Sequence, residues 1–251
     1  MADYASEGGH FYTRTGEPAY TIVGKNGVER NTTLRDARKM DLVPGVTSII
    51  RCAAAPGLEA WKQDQLLLAA LTLPRLDGES EKSWLSRVKT DSRAEGKGAA
   101  DRGTEIHGML EKAKKGQGVP MEFTPWVQAV EAEVEKRCGV QLWKAEKSYA
   151  HKYGYGCKID LHSSDSDWLI DYKGKDDAVQ EDLFLYDEHY MQLAANRLAA
   201  GIPHARCAIV FFGRQTPWAK LIEADEEELK RGWDMFSSLL DYWQSKNKLH
   251  P

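Results

Sequence analysis

Apolar residues recur along this chain with two different periods, and the changes of period mark its elements. The opening stretch HFYTRTGEPAYTIVGKNGVE mixes aromatic and turn residues, with Gly-Glu-Pro and Lys-Asn-Gly between short extended runs, and predicts a small hairpin or arm within the first forty residues. A turn at Pro44-Gly45 leads into VTSIIRCAAA. Pro56 then begins a helical pattern carried by Leu58, Trp61, Leu66, Leu67 and Ala70. This section is expected to be mostly helical through Lys97, with a loop at Leu73-Pro74 and Asp77-Gly78 and a flexible break at Glu95-Gly96-Lys97-Gly98.

From Ala99 the pattern is more regular. Helices are predicted over roughly 100–115 and 125–138, and period-two alternation then marks strands at about 141–150 and 153–163. A third strand covers WLIDYKGK, followed by a helix from Tyr186 to Ala200, an apolar strand ARCAIVFFG and a short strand WAKLIEA. The terminal helix runs from an N-cap at Asp225 to about Lys246, with acidic residues in its first turn where the helix dipole favours them. The implied fold is α/β: a central mixed sheet flanked by helices, with a mostly helical N-terminal extension. Residues 1–98 read as arm and extension packed on a core of residues 99–251.

Composition narrows the function less than the pattern does. The balance of 34 Lys+Arg against 38 Asp+Glu gives a formal charge of -4, so no global positive field announces a nucleic-acid partner. Metal-binding carboxylates lower the formal charge themselves, and positive charge can be confined to one groove. Cys52, Cys138, Cys157 and Cys207 stand far apart with no zinc spacing, which fits reduced thiols. There is no basic, apolar leader and no run of about 18 apolar residues, so a cytoplasmic protein without a membrane segment is expected.

The chemistry concentrates in GYGCKIDLHSSDSDWLIDYKGK. Side chains two apart on a strand share a face, so Asp171 and Lys173 emerge together, and Asp160 can join them from the neighbouring strand. Two carboxylates beside one ammonium suit Mg²⁺ or Mn²⁺, with the lysine orienting or helping to deprotonate a water. An Asp-x-Lys tripeptide alone arises about once by chance in a chain this long. Here, however, Trp168, Leu169 and Ile170 lead straight into Asp171, which sets a charge at the end of an apolar run. In DRGTEIHGMLEKAKKG, His107 shares a helical face with Gly103 and with Leu110 or Glu111. A lone helical histidine is usually exposed or hydrogen-bonded in a core. Gly103 and Gly108 favour a packing or functional reason, because glycine costs up to about 1 kcal/mol inside a helix.

RGTEIHGMLE resembles the G-T-x-x-H-x-x-L-E signature of RecB-like nucleases, a branch of the PD-(D/E)XK superfamily, whose core has the restriction-endonuclease-like fold. The downstream order is similar as well: Glu146, then GCKID with Asp160, LIDYK with Asp171 and Lys173, and YMQLAANRLA with Gln192, spanning roughly 102–198. The resemblance implies that Asp160, Asp171 and the Tyr172 carbonyl bind the catalytic metal and that His107 completes the site. It also implies that Lys173 activates water and that Gln192 braces the site or contacts DNA. Glu146 could be metal-associated, or an ordinary surface residue. The tyrosine of the family's Q-x-x-x-Y is Asn196 here, and Tyr190 could substitute only from another side of the helix. No iron-sulfur cluster is expected, since the clustered cysteines that hold it in some relatives are missing.

The segment TTLRDARK through VPGVTSIIRCAAAPGLEAWKQ looks like the region preceding the core in phage-type recombination exonucleases. Arg35, Arg38, Lys39 and Arg51, with Trp61 nearby, could guide DNA by phosphate contact and stacking, or form an ordinary charged face. The resemblance implies a Mg²⁺- or Mn²⁺-dependent DNA exonuclease acting on linear duplex or single-stranded ends, in phage recombination or end processing, with a single-strand annealing protein as a possible partner. An endonuclease and an inactive DNA-binding module are the alternatives. No G-x-x-x-x-G-K-[ST] is present for an NTPase.

Overall fold

The computed structural model describes residues 10–249; residues 1–9 of the expected arm, and residues 250 and 251, lie outside them. In the N-terminal arm β1 (Phe11–Tyr12) pairs antiparallel with β4 (Val43–Pro44), and β2 (Thr21–Val23) forms a hairpin with β3 (Glu29–Asn31). Between them α1 (Leu34–Met40) starts at a capping box of Thr33 and Asp36. The arm is seated on the core by contact. A Cβ on Gly156 would fall 2.5 Å from the Tyr12 ring, so only glycine lets Tyr12 lie flat there.

The helices α2 (Val46–Ile50), α3 (Pro56–Thr72), α4 (Glu81–Asp91) and α5 (Ala94–Lys114) follow, as the periodicity predicts. One local expectation is overturned, because residues 95–98 are helical and the flexible break is absent. Ala94, Ala99 and Ala100 favour the helix, and Gly96 lies against the Trp61 ring, where a Cβ would be 3.0 Å from it. The boundary expected between residues 98 and 99 therefore falls inside one helix.

The core is a five-stranded sheet in the order β5 (Trp143–His151), β6 (Tyr155–Ser163), β7 (Trp168–Lys175), β8 (Arg206–Gly213), β9 (Ala219–Glu223). All neighbours are antiparallel except β7 and β8, which α7 (Asp187–Ala199) joins in parallel. α6 (Thr124–Cys138) lies with α5 on one face, and α8 (Glu226–Asn247) lies with α7 on the other. Strand β8 shows why both faces are covered. Cys207, Ile209 and Phe211 enter the α7–α8 core, while Ala208, Val210 and Phe212 enter the α5–α6 core. Asp225 caps α8 as expected, accepting from the amides of Glu227 and Glu228. Among the described residues, no helix is long and apolar enough to cross a membrane.

Candidate active site

The site is built where two strands change face. In β5, Trp143 and Ala145 pack toward α5 and α6, yet Tyr149, of the same parity, packs toward α7 and α8. The paired strand switches at the same level, between Ile159 and Leu161. The residue at the switch in β5 is Glu146, whose φ of 56° is left-handed, a conformation strained for a residue with a Cβ. Its neighbours Ala145 and Lys147 pair with Leu161 and Ile159, which sets Glu146 opposite Asp160. The buried faces of α5, carrying Ile106 and Leu110, hold that helix on the sheet so that His107 reaches the same point. His107, Glu146 and Asp160 each bring one ligand atom within 4.8 Å of the others, and could hold a metal ion.

Asp160 is tied down on two sides: the Tyr172 amide donates to its Oδ2 at 2.8 Å, and His107 Nε2 lies 3.0 Å from the same oxygen. Burial raises the Asp160 carboxyl, but the hydrogen bond and charge of His107 outweigh it and hold Asp160 below the usual carboxylate range. The reciprocal holds for His107, which burial would lower and which Asp160, with Glu146 and Asp171 beyond, raises. A proton and a metal are thus alternative partners for the same lone pairs. The Tyr172 ring meets His107 edge-on at 5.8 Å between centroids and limits its rotation.

Asp171 and Lys173 emerge on the α7 side of β7, where Gln192 meets both. Gln192 Nε2 donates to Asp171 Oδ1 at 2.6 Å, and Lys173 Nζ donates to Gln192 Oε1 at 3.1 Å while standing 2.7 Å from Asp171 Oδ2. Asp171 is only 3% exposed. Burial, with Asp160 nearby, pushes its carboxyl up to about 6 against the pull of Lys173. Lys173 stays a cation, because Asp171 more than offsets the effect of burial on the ammonium. Asp171 Oδ2 and Glu146 Oε2 are buried in ion pairs that lack hydrogen-bond direction, which leaves oxygen lone pairs available to a cation.

Other expected residues are not brought to this point. Tyr190 lies on another side of α7, at the contact with α8, where a Cβ on Gly232 would be 2.6 Å from its carbonyl carbon. Arg38 donates to the Asn247 carbonyl at the end of α8, while Arg35 and Lys39 are exposed on α1. Arg51 lines a groove of about 960 Å³ between α2 and α3 on one side and α7 and α8 on the other, together with Glu188 and Met191. Gly108 has open space where a Cβ would be and Gly103 has only ordinary contact, so no tight packing among the described residues explains these two glycines. Sequence reasoning missed Lys158, which forms an ion pair with Glu146 and sits one strand residue short of Asp160's neighbour Ile159. It also missed a cavity of about 180 Å³ beside the site, lined by His10, Tyr12, Tyr20, Lys158, Gln192 and Asn196.

No family model and no curated sequence matches the chain. Solved structures similar to it include an alkaline exonuclease, LHK-Exo, from Laribacter hongkongensis, at 15% identity and a TM-score of 0.35 over 75% of this chain and 97% of that one. The complex of LHK-Exo with dAMP gives 15% identity and 0.35, over 74% and 91%. SSO0001 gives 13% identity and 0.32, over 72% and 86%. At such TM-scores the chemistry has to be read from the site itself.

Proposed function

We propose that this chain is a divalent-metal-dependent DNA nuclease of the RecB-like branch of the PD-(D/E)XK superfamily, and that it degrades DNA from its ends. The observation that carries the reading is the meeting of His107, Glu146 and Asp160 within 4.8 Å, beside an Asp171–Lys173–Gln192 cluster on the adjoining strand and helix. One imidazole nitrogen and carboxylate oxygens make a donor set suited to Mn²⁺ and Mg²⁺. His107, Glu146 and Asp160 would hold the ion, with Asp171 at its edge. When bound, such a cation draws charge from a phosphodiester and makes water a better nucleophile.

The chain's own groups supply the rest. The Lys173 ammonium orients the attacking water and stabilises charge growing on the phosphate oxygens. Gln192 fixes that ammonium and Asp171 relative to each other, so little reorganisation is needed at the moment of reaction. The Tyr172 amide keeps Asp160 turned toward His107. DNA ends, a place in phage-type recombination and a single-strand annealing partner follow from the family resemblance, a cytoplasmic setting is the expectation from the sequence pattern, and all belong to this proposal.

The test is incubation with Mg²⁺ or Mn²⁺ and end-labelled linear DNA beside covalently closed circular DNA. Loss of the linear DNA alone supports an exonuclease. Cutting of the circle makes the enzyme an endonuclease, and cleavage of neither removes the proposal.

A further inference from the structure

Lys158 and Asn196 have no part in the reaction described above, yet both line the cavity that adjoins it. The Lys158 ammonium is paired with Glu146, whose side chain is 4% exposed and whose backbone is held left-handed at φ 56°. Asn196 is 1% exposed, and its Oδ1 has no hydrogen-bond partner among the described residues. A buried acceptor left unmade is costly, and a native fold keeps one where something else meets it. Glu146 is also one of the three groups whose ligand atoms converge with those of His107 and Asp160. An ammonium on Glu146 Oε2 competes with a divalent cation for that carboxylate, because the two positive charges repel each other in a buried site.

Resting on the metal-site reading above, we infer that Lys158 is a displaceable counter-ion. It neutralises Glu146 while no cation is bound, and on metal loading its ammonium swings into the neighbouring cavity, where Asn196 Oδ1 accepts from it. Four flexible carbons give the side chain the freedom to make that change, and Lys158 already forms part of the cavity wall. The shift would also bring a second cation beside Gln192, which lines the same cavity and holds Lys173. Lys158 is therefore a positioning residue that couples metal loading to the charge lining the cavity.

The experiment is calorimetric titration of Mn²⁺ into the full chain at fixed pH and salt, with wild type, Lys158→Met, Asn196→Leu and the double variant. Lys158→Met removes the competitor and is expected to bind Mn²⁺ about tenfold more tightly. Asn196→Leu removes the acceptor for the displaced ammonium and is expected to weaken Mn²⁺ about threefold, with no effect once Lys158 is already Met. The relay is overturned if Lys158→Met binds no more tightly, or if Asn196→Leu has the same effect in both backgrounds. Should Lys158→Met not fold, Asn196→Leu decides alone, and an unchanged affinity overturns the relay. Glu146→Gln separates the two layers: wild-type Mn²⁺ affinity in that variant removes the metal reading itself, whereas a large loss beside a failed Lys158→Met result removes the relay only.

Discussion

Replacing Gln192 by Met keeps most of the side chain's length and volume while deleting both of its hydrogen bonds, so the change isolates the bridge between Asp171 and Lys173. The deleted bonds are the 2.6 Å donation to Asp171 Oδ1 and the 3.1 Å acceptance from Lys173 Nζ. Hydrogen bonds to charged groups contribute roughly 1.5–3 kcal/mol each, so the two together set a ceiling of about 6 kcal/mol. The 2.7 Å Asp171–Lys173 ion pair survives and takes up part of the loss, and the packing change is small for a flexible thioether. A destabilisation of about 3 kcal/mol is expected. The assay is urea unfolding of wild type and Gln192→Met in EDTA at pH 7.5, followed by fluorescence and circular dichroism to establish that the transitions coincide. Cleavage in Mg²⁺ should fall by about one to two orders of magnitude, because Lys173 loses the partner that holds it in place. A loss of stability below about 0.5 kcal/mol together with wild-type cleavage would show that the bridge holds nothing, and the electrostatic description of the site would be wrong.

Asp160→Ala, Asp171→Ala and Lys173→Ala should each lower cleavage at least about a hundredfold while folding is retained, as measured by single-turnover hydrolysis beside circular dichroism. His107→Ala should weaken Mn²⁺ more than Mg²⁺, since the lost nitrogen donor suits the softer ion; equal effects in titrations of the two metals would make His107 a structural residue. The contribution of Asp171 to the stability of the metal-free protein should be lost as pH rises from about 4 to about 6. The Asp171 carboxyl, raised from 3.8 to about 6, binds its proton more tightly folded than unfolded, so its contribution is fully present below 3.8 and lost as pH passes about 6. The difference amounts to up to roughly 3 kcal/mol, and Asp171→Ala should flatten that part of a denaturation-versus-pH curve. Mn²⁺ affinity should fall as pH is lowered, with protons competing first at His107, which is raised above its ordinary 6.5, and then at Asp171 near 6.

Much of the sheet was legible because alternation marks a strand with one covered face, as in residues 143–151, and short apolar runs mark strands buried on both faces, as in residues 168–172 and 206–213. The same rule joined Asp171 to Lys173. What it hid was the switch at Glu146. A non-glycine residue with positive φ leaves no mark in the sequence, and the Lys158 pairing follows only once Glu146 is set opposite Asp160. Gly96 and Gly98 read as flexible because two glycines two residues apart outweigh the helix-favouring alanines around them in a local pattern, and the Trp61 ring beside Gly96 comes from another helix. The role of Arg38 was hidden for the same reason: its acceptor, the Asn247 carbonyl, is 209 residues away. Gln192 was reached through the resemblance alone, since on an amphipathic helix a glutamine otherwise reads as solvent-facing.

The central claim is that the cluster of His107, Glu146, Asp160, Asp171 and Lys173 cleaves phosphodiesters with a divalent metal. It is tested most directly by the release of labelled nucleotides from linear DNA in Mg²⁺, in EDTA, and with Lys173→Ala in Mg²⁺. The account predicts steady release in the first case and, in the other two, release at least about a hundredfold slower. Release that persists undiminished in EDTA, or at the wild-type rate from Lys173→Ala, would contradict it.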